Sequence, residues 1–246
     1  MMSKMILIDA TYINSFGGKS IFESILLEIN KKKIKNLYFL LDNRLKLDFT
    51  IFFPENNYTV IKSTHFKRYF FYKKNLQKFD SIVCLSNIPP PFKNPVKTTI
   101  FFHNRLFLNP LTHDINFKEK LINYIKFRYI KFFKQENYYW VVQTKLMKDL
   151  IKSSLNVNFQ KVQVFPIFNY IHKSNQTSNK TSSFVYVSSG VSHKNHNNLI
   201  LAFISAASKT QKKIKLLLTL HNEQLVKREL PVNLQIEFKG TLSNEE

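Results

Sequence analysis

Short apolar runs alternate with longer amphipathic segments along most of the chain. Residues 4–9 and 80–85 are compact apolar runs of the kind that form strands buried on both faces of a sheet. Residues 65–76 instead repeat their apolar side chains at helical spacing. Because buried strands that alternate with helices are typical of βαβ units, the pattern predicts an α/β fold with parallel sheets.

The same pattern assigns strands and helices to the rest of the chain. Further strands are predicted at residues 36–41, 57–62, 97–102, 139–144, 161–165, 184–188, 215–220 and 234–238. Further helices are predicted at residues 19–30, 117–135, 145–155, 195–208 and 222–229. A loop is predicted at residues 10–18, between the first strand and the first helix.

The polar stretch HKSNQTSNKTSS, residues 172–183, interrupts this alternation and contains no apolar residue, which is typical of a linker. The sequence therefore predicts two Rossmann-like domains, at residues 1–171 and 184–246. The part after the linker supplies three predicted strands, whereas open sheets commonly have about four to six. We therefore expect the second domain to be incomplete, so that the chain is a fragment or is completed by another polypeptide.

The formal charge of +21 is carried almost entirely by lysine, since only five of the 37 basic residues are arginine. Such a charge suits a phosphate-rich partner, either a nucleic acid or an anionic membrane surface. A lysine-rich composition also arises in an AT-rich genome without selection for any ligand. Nucleic-acid readers favour arginine, so no nucleic acid is expected as partner. The single Cys84 excludes a disulfide framework and a multi-cysteine metal site, which fits the cytoplasm.

A glycine pair, Gly17 and Gly18, follows the first predicted strand and directly precedes the first predicted helix. Backbone without side chains can approach a phosphate closely, and the helix N-terminus offers free N–H groups. The spacing is not GxGxxG, so no dinucleotide fingerprint is present. The alternative is that the two glycines only form a tight turn.

His103 and Asn104 follow a buried strand in the segment VKTTIFFHNRLFL. In an open α/β sheet, ligands bind at the carboxyl ends of the strands. A neutral imidazole there can exchange a proton or form a hydrogen bond to a sugar hydroxyl. The alternative is a histidine that only caps the strand end.

Lys194 lies in the segment SSGVSHKNH, at the predicted start of a helix. An anion at this position would meet both the ammonium group and the helix dipole, and a diphosphate fits that description. The alternative is a solvated lysine beside an asparagine cap.

These segments together resemble glycosyltransferase family 4, whose members have the GT-B fold of two Rossmann-like domains. The resemblance extends over most of the chain and is carried by INSFGGKS, LSNIPPPFK, TIFFHNRLFLNP, WVVQTKLMKDLI and VYVSSGVSHKNHNNLILAF, in this order. It implies that Gly17, Gly18 and Lys194 bind the diphosphate of a nucleotide-sugar donor. It also implies that the catalytic His103 lies near the reacting sugar.

The resemblance further implies an acceptor-side first domain and a nucleotide-sugar-binding second domain. The residues implied as neighbours of the donor are Asn104, Gly190, Asn195 and Gly240. The implied function is transfer of a sugar, with retention of anomeric configuration, to a cell-surface polysaccharide or lipid-linked glycan. No cofactor and no obligatory metal are implied, because the nucleotide-sugar is itself the substrate.

The chain departs from the family pattern at two places. Many relatives carry an arginine where this chain has Ser189. The two glutamates that hold the donor sugar and ribose in the family would lie beyond Glu246. We therefore expect little or no transferase activity from the 246 residues alone. The alternative function is that of a non-catalytic remnant, which binds a membrane or a partner through its basic first domain.

Two predicted helices, residues 65–76 and 117–135, interleave lysines with aromatic side chains. On the second helix the wheel predicts one apolar face, formed by Leu121, Ile122, Ile125, Tyr129, Phe132 and Phe133. Phe127 and Ile130 fall on the opposite side among lysines, a mixture that suits an anionic membrane surface. The alternative is a core helix with a solvated lysine face. The expected location is the cytoplasm, with peripheral binding to the inner face of the plasma membrane.

Overall fold

The computed structural model describes residues 5–14, 16–47, 57–112, 116–166, 183–190, 194–221 and 229–240. The chain forms two compact units. The N-terminal unit comprises Met1–His113 and Phe117–Ile171, and the C-terminal unit comprises Asp114–Asn116 and His172–Glu246. The predicted linker at residues 172–182 and most of the predicted helix at residues 222–229 lie outside the described residues.

A seven-stranded parallel sheet forms the centre of the N-terminal unit. Its strands are β1 (Met5–Ala10), β2 (Leu37–Asp42), β3 (Tyr58–Ile61), β4 (Phe79–Cys84), β5 (Lys97–Phe102), β6 (Tyr139–Val142) and β7 (Val162–Val164). Their order in the sheet is β3-β2-β1-β4-β5-β6-β7. The order reverses between β1 and β4, and such a reversal opens a crevice at the carboxyl ends of these strands.

Among the described residues, four α-helices connect the strands of this sheet: α1 (Phe16–Lys31), α2 (His65–Asn75), α3 (Phe117–Phe133) and α4 (Lys145–Leu155). Thr64 and Thr144 start α2 and α4, because each threonine hydroxyl accepts a backbone N–H from the first turn. Asn156 ends α4 in the left-handed conformation that asparagine tolerates. The parallel α/β architecture predicted from the sequence is thereby confirmed.

The core lies on both faces of this sheet. Successive residues of β1 point to opposite faces, so Leu7 belongs to one buried cluster and Ile8 to the other. The cluster on the Leu7 face also contains Tyr72, Ile130 and Trp140. The near-continuous apolar strands therefore reflect burial on both sides of a parallel sheet.

Helix α3 is turned differently from the prediction. Ile130, predicted to face a membrane, is fully buried, and Phe127 packs against the same core cluster. Leu121, Ile122, Ile125 and Phe132, predicted as one apolar face with Tyr129 and Phe133, are exposed. The helical-wheel prediction was wrong because α3 carries apolar side chains on almost every side. Packing on the core and on α2, rather than periodicity, decides which face is buried.

A three-stranded parallel sheet forms the described centre of the C-terminal unit, in the order β10-β9-β8. Its elements are β8 (Ser183–Tyr186), α5 (His196–Ala207), β9 (Ile214–Leu218) and β10 (Leu234–Phe238). Ser183, predicted as the last linker residue, is the first residue of β8. The buried cluster here is small and consists of Ile200, Leu216 and Leu218, with partly buried side chains around them.

Candidate functional site

A cavity of about 670 Å³ lies at the carboxyl edge of the N-terminal sheet. Residues that follow β1, β2, β3, β4 and β5 line it together with one side of α3. They are Tyr12, Ile13, Asn14, Gly18, Arg44, Ser63, His65, Ser86, Asn87, Ile88, His103, Asn104, Phe107, Ile125, Lys126 and Tyr129. The volume is within the range of pockets for small ligands, and the position is the crevice that the β1/β4 strand reversal predicts.

A second hollow, of about 880 Å³, lies at the opposite edge of the same sheet. It is lined by Lys93, Lys134, Gln135, Glu136, Asn137, Asn156, Val157, Asn158 and Lys161, which precede strands or end helices. Ligands of open α/β sheets bind at the carboxyl edge instead. The cavity at the carboxyl edge is therefore the candidate site.

A buried ion pair lies beneath the cavity. The Arg68 guanidinium of α2 donates from Nε to the Asp9 carboxylate at 2.8 Å, and both side chains are buried. The Tyr72 hydroxyl donates to the same carboxylate oxygen at 2.6 Å, and Thr11 donates its N–H and hydroxyl to the other oxygen. Burial disfavours the arginine charge, but Asp9 and three neighbouring side chains together outweigh this effect, so the pKa of Arg68 lies above its usual value.

The same guanidinium also anchors the loop after β4. Its Nη1 donates to the Pro89 carbonyl at 2.8 Å, and its Nη2 donates to the Ile88 carbonyl at 3.3 Å. Arg68 thus connects the end of β1 with the loop that contributes Ser86, Asn87 and Ile88 to the cavity. The backbone carbonyls of the loop after β4 have no neighbouring strand to supply N–H donors, and Arg68 gives them charge-assisted hydrogen bonds instead.

Asn87 fixes the position of His103 across the sheet. Its side-chain oxygen accepts the backbone N–H groups of His103, at 2.7 Å, and Asn104, at 2.9 Å. Its backbone is left-handed, with φ of 68°, which asparagine tolerates better than most residues. With this oxygen fixed, the amide nitrogen lies 3.4 Å from His103 Nε2 and can only donate to it. His103 is therefore the tautomer that carries its proton on Nδ1.

The imidazole of His103 is neutral near pH 7. Burial lowers the pKa of His103 to about 4, and the ring stacks on Phe101 with centroids 5.2 Å apart. Between pH 6.5, the ordinary value, and about 4, the unfolded chain holds more protons than the folded one. The stability that this group contributes is therefore present above pH 6.5 and is lost as the pH falls towards 4. A base this weak is better suited to a hydrogen bond than to proton abstraction.

The Ser63 hydroxyl in the cavity lining interacts with the Asp42 carboxylate. Three other polar atoms on cavity-lining residues lack a protein partner in the described part of the chain. They are the Ser86 hydroxyl, Nδ1 of His103 and the Tyr129 hydroxyl, all buried. Burial also raises the pKa of Tyr129, so its hydroxyl keeps its proton. Buried polar atoms without partners are rare in folded proteins, and a hydroxyl-rich ligand could supply partners for these.

Gly17 and Gly18 lie within the first turn of α1, whereas the sequence predicted them in the loop before it. Neither glycine has the positive φ that would require its small size. A β-carbon at Gly17 would meet no atom within 4 Å, and one at Gly18 would touch only Ile13, at 3.9 Å. Gly18 lines the cavity, and the first-turn N–H groups lack helical partners, so close approach of a ligand remains the predicted role.

The remaining predicted donor residues lie at the carboxyl edge of the C-terminal sheet. Gly190 follows β8, and Lys194 and Asn195 directly precede α5, with Lys194 exposed. Asn195 is left-handed and does not cap the helix with its side chain. Gly240 follows β10 with φ of 71°, where a β-carbon would lie 2.3 Å from the His221 ring. Glycine is thus required at position 240, and all four residues stay predicted donor contacts.

The described residues include neither a metal-binding cluster nor a reactive thiol. No group of three histidine, cysteine, aspartate or glutamate side chains comes close enough there to hold a metal ion. Burial raises the pKa of the Cys84 thiol to about 12, so this side chain is not a nucleophile near neutral pH.

Sequence reasoning missed Asp9, Arg44, Arg68, Asn87 and Lys126. The arginines carried a signal, because arginine is rare in this chain and accounts for only five of the 37 basic residues. Two of the five, Arg44 and Arg68, form several hydrogen bonds from one guanidinium group, which lysine could not reproduce in the same geometry. Asp9, Asn87 and Lys126 had no comparable signal, since their partners lie far away in sequence.

Comparison with solved structures identifies the fold. The apo form of the lipopolysaccharide outer core galactosyltransferase WaaB matches 99% of this chain and 69% of its own, with a TM-score of 0.58 and 12% identity. LpCGTa in complex with UDP matches 95% of this chain and 69% of its own, with a TM-score of 0.45 and 9% identity. No protein-family model and no curated protein matches the sequence. The WaaB match establishes the predicted GT-B fold.

We predict that Asn87→Asp raises the pKa of His103 from about 4 by a unit or more. The new carboxylate keeps an acceptor for the His103 and Asn104 N–H groups, and it places a negative oxygen where the amide nitrogen now faces Nε2. Titration of the His103 ring signals by NMR measures the shift.

Asn87→Ala is the control, because it removes the one oxygen that accepts both N–H groups and adds no charge. It should lower the free energy of unfolding by about 2–3 kcal/mol, through two lost hydrogen bonds and an alanine in a left-handed conformation. A pKa of His103 that stays near 4 in Asn87→Asp would contradict the assigned geometry.

Proposed function

We propose that this protein transfers a sugar from a nucleotide-sugar donor to a cell-surface polysaccharide or a lipid-linked glycan. The observation that carries the proposal is the set of three unpartnered polar atoms around the N-terminal cavity. A sugar presents several hydroxyl groups within a volume that fits 670 Å³, and it would give these atoms the partners that the protein lacks. The GT-B fold shared with a lipopolysaccharide galactosyltransferase supports the same class of reaction.

In this proposal the C-terminal unit holds the donor. The Lys194 ammonium and the N-terminus of α5 bind the diphosphate. Both stabilise the negative charge that develops on it as the donor's anomeric C–O bond breaks. Gly190 and Gly240 lie at the carboxyl edge of the same sheet, where the nucleotide would bind.

The N-terminal unit holds the acceptor. The acceptor hydroxyl oxygen bonds to the anomeric carbon, and His103 donates a hydrogen bond from Nδ1 to a sugar hydroxyl. With a pKa of about 4, His103 is too weak a base to take the acceptor proton, so that proton passes to the departing diphosphate oxygen. Transfer on the face from which the diphosphate leaves retains the anomeric configuration.

We predict that Lys194→Ala weakens binding of the donor nucleotide by about 1.5–3 kcal/mol, the range for a hydrogen bond to a charged group. Calorimetry with a panel of nucleoside diphosphates measures the loss. Lys209→Ala is the matched control, because Lys209 is also exposed but follows the far end of α5. Equal affinities of the two variants would exclude Lys194 from the donor site. The anomeric configuration of any product, read by NMR, tests retention.

An exposed apolar stripe on α3 favours a second function, binding to an anionic membrane. We define the α3 stripe as Phe117, Leu121, Ile125 and Phe132, which recur along one side of the helix; Phe117 is 81% and Phe132 69% exposed. The cations Lys118, Arg128 and Lys131 are exposed around it. Aromatic side chains between cations suit the boundary between anionic headgroups and acyl chains. Among the described residues, no helix has the length and apolarity to cross a bilayer.

We predict that Phe117→Ser with Phe132→Ser lowers binding to anionic vesicles at least tenfold, since each phenylalanine would otherwise enter the membrane boundary. Co-sedimentation with anionic and neutral vesicles, at rising salt, measures binding. Val232→Ser is the control, because it removes an exposed apolar side chain from the C-terminal unit. The single tryptophan, Trp140, is buried in the core and reports whether the N-terminal unit stays folded. Equal binding to neutral and anionic vesicles would contradict the proposal.

A further inference from the structure

Two basic side chains line the N-terminal cavity. Arg44 follows β2 and Lys126 belongs to α3, and none of the described residues that line the cavity is an aspartate or a glutamate. The two histidines of the lining do not add charge near pH 7, because burial lowers the pKa of both His65 and His103. Because Asp42, which lies outside the lining, pairs with Arg44, the uncompensated positive charge of the lining is that of Lys126.

Arg44 is held in a fixed orientation. The buried Asp42 carboxylate accepts from Nη2 at 2.7 Å, from Nε at 3.0 Å and from the Arg44 backbone N–H at 2.9 Å. Burial alone would raise the pKa of Asp42, but the interactions with Arg44 and Ser63 together outweigh this effect, and the pKa of Asp42 is lowered. Asp42 uses two of the five guanidinium N–H donors, and the side chain is 57% exposed. Donors of known direction therefore remain for a ligand.

Lys126 is half-buried on the cavity side of α3. Its ammonium lies 4.6 Å from the centroid of the Phe107 ring, and among the described residues it forms no ion pair. Burial lowers the pKa of Lys126, which means that the charged form lacks compensation in the free protein. An anion in the cavity would provide that compensation.

We propose that Arg44 and Lys126 bind an anionic group, a phosphate or a carboxylate, on the acceptor sugar. This inference rests on the proposed function, because it names the class of acceptor: a phosphorylated or acidic glycan rather than a neutral one. The guanidinium fork matches either oxyanion in bidentate geometry, and the ammonium adds a second point of attachment. The sugar hydroxyls then face Ser86, His103 and Tyr129.

The donor's diphosphate is the other source of the same chemistry. The acceptor is favoured because Ile125, the neighbour of Lys126, belongs both to the α3 stripe and to the cavity lining. An anionic acceptor that arrives along a membrane surface would thus meet the cavity at this residue. A comparison of the binding of a sugar phosphate with that of a nucleoside diphosphate separates the two sources.

The test is calorimetric binding of glucose 6-phosphate, inorganic phosphate, methyl glucoside and UDP to the full chain. The wild-type protein should bind glucose 6-phosphate at least tenfold more tightly than methyl glucoside. Lys126→Gln should weaken glucose 6-phosphate binding about tenfold or more, the effect of losing one charge-assisted hydrogen bond, and should leave UDP binding unchanged. Lys131→Gln is the control, an exposed lysine of the same helix that is not in the cavity lining.

Arg44→Gln should weaken glucose 6-phosphate binding as well, with Trp140 emission showing that the N-terminal unit is folded. Three results overturn the inference: no saturable binding of either phosphate probe to the wild-type protein, equal affinities of Lys126→Gln and Lys131→Gln, or a loss confined to UDP. Failure of the proposed function looks different, because Lys194→Ala would then bind UDP as tightly as Lys209→Ala, while Lys126→Gln still weakened binding of glucose 6-phosphate.

Discussion

The buried pair between Arg68 and Asp9 is the interaction on which the rest of the N-terminal unit depends. Its 2.8 Å hydrogen bond joins α2 to the end of β1, and the other guanidinium nitrogens hold the loop after β4 through the Ile88 and Pro89 carbonyls. Such a pair adds little net stability, because both charges lose their water. Its main effect is to position α2 and the loop after β4. Removing one partner would leave the other charged and buried, at a cost of about 3–5 kcal/mol.

That geometry produces a cavity with two chemically different parts. The loop held by Arg68 presents Asn87, which fixes the neutral imidazole of His103 by three hydrogen bonds to the two residues after β5. The other part carries the charges of Arg44 and Lys126. Neutral polar groups suit sugar hydroxyls, whereas fixed cations suit an oxyanion, so one cavity can recognise both halves of an acidic sugar.

The parallel sheet, its helices and the position of His103 at a strand's carboxyl end could all be predicted from the sequence. Buried parallel strands are continuous apolar runs, and such runs carry a strong local signal. The orientation of α3 could not be predicted, because its apolar residues occupy more than one face and Ile130 is buried by contacts distant in sequence. The start of α1 was also predicted too late, at residue 19 instead of Phe16. The glycines at positions 17 and 18 adopt helical conformation despite their low helix propensity. The Arg68–Asp9 pair joins residues 59 positions apart, which no local pattern reveals.

The central claim is that this buried pair positions the cavity loops, and the pKa of His103 tests it most directly. The double variant Asp9→Asn with Arg68→Met removes both charges together, so the net charge near His103 does not change, and the amide oxygen introduced at position 9 can still accept from Thr11. NMR titration of the folded variant should show the pKa of His103 rising from about 4 towards 6.5, because the loop that carries Asn87 is released and water reaches the ring. A value that stays near 4 would show that the cavity keeps its shape without the pair, and would contradict the account.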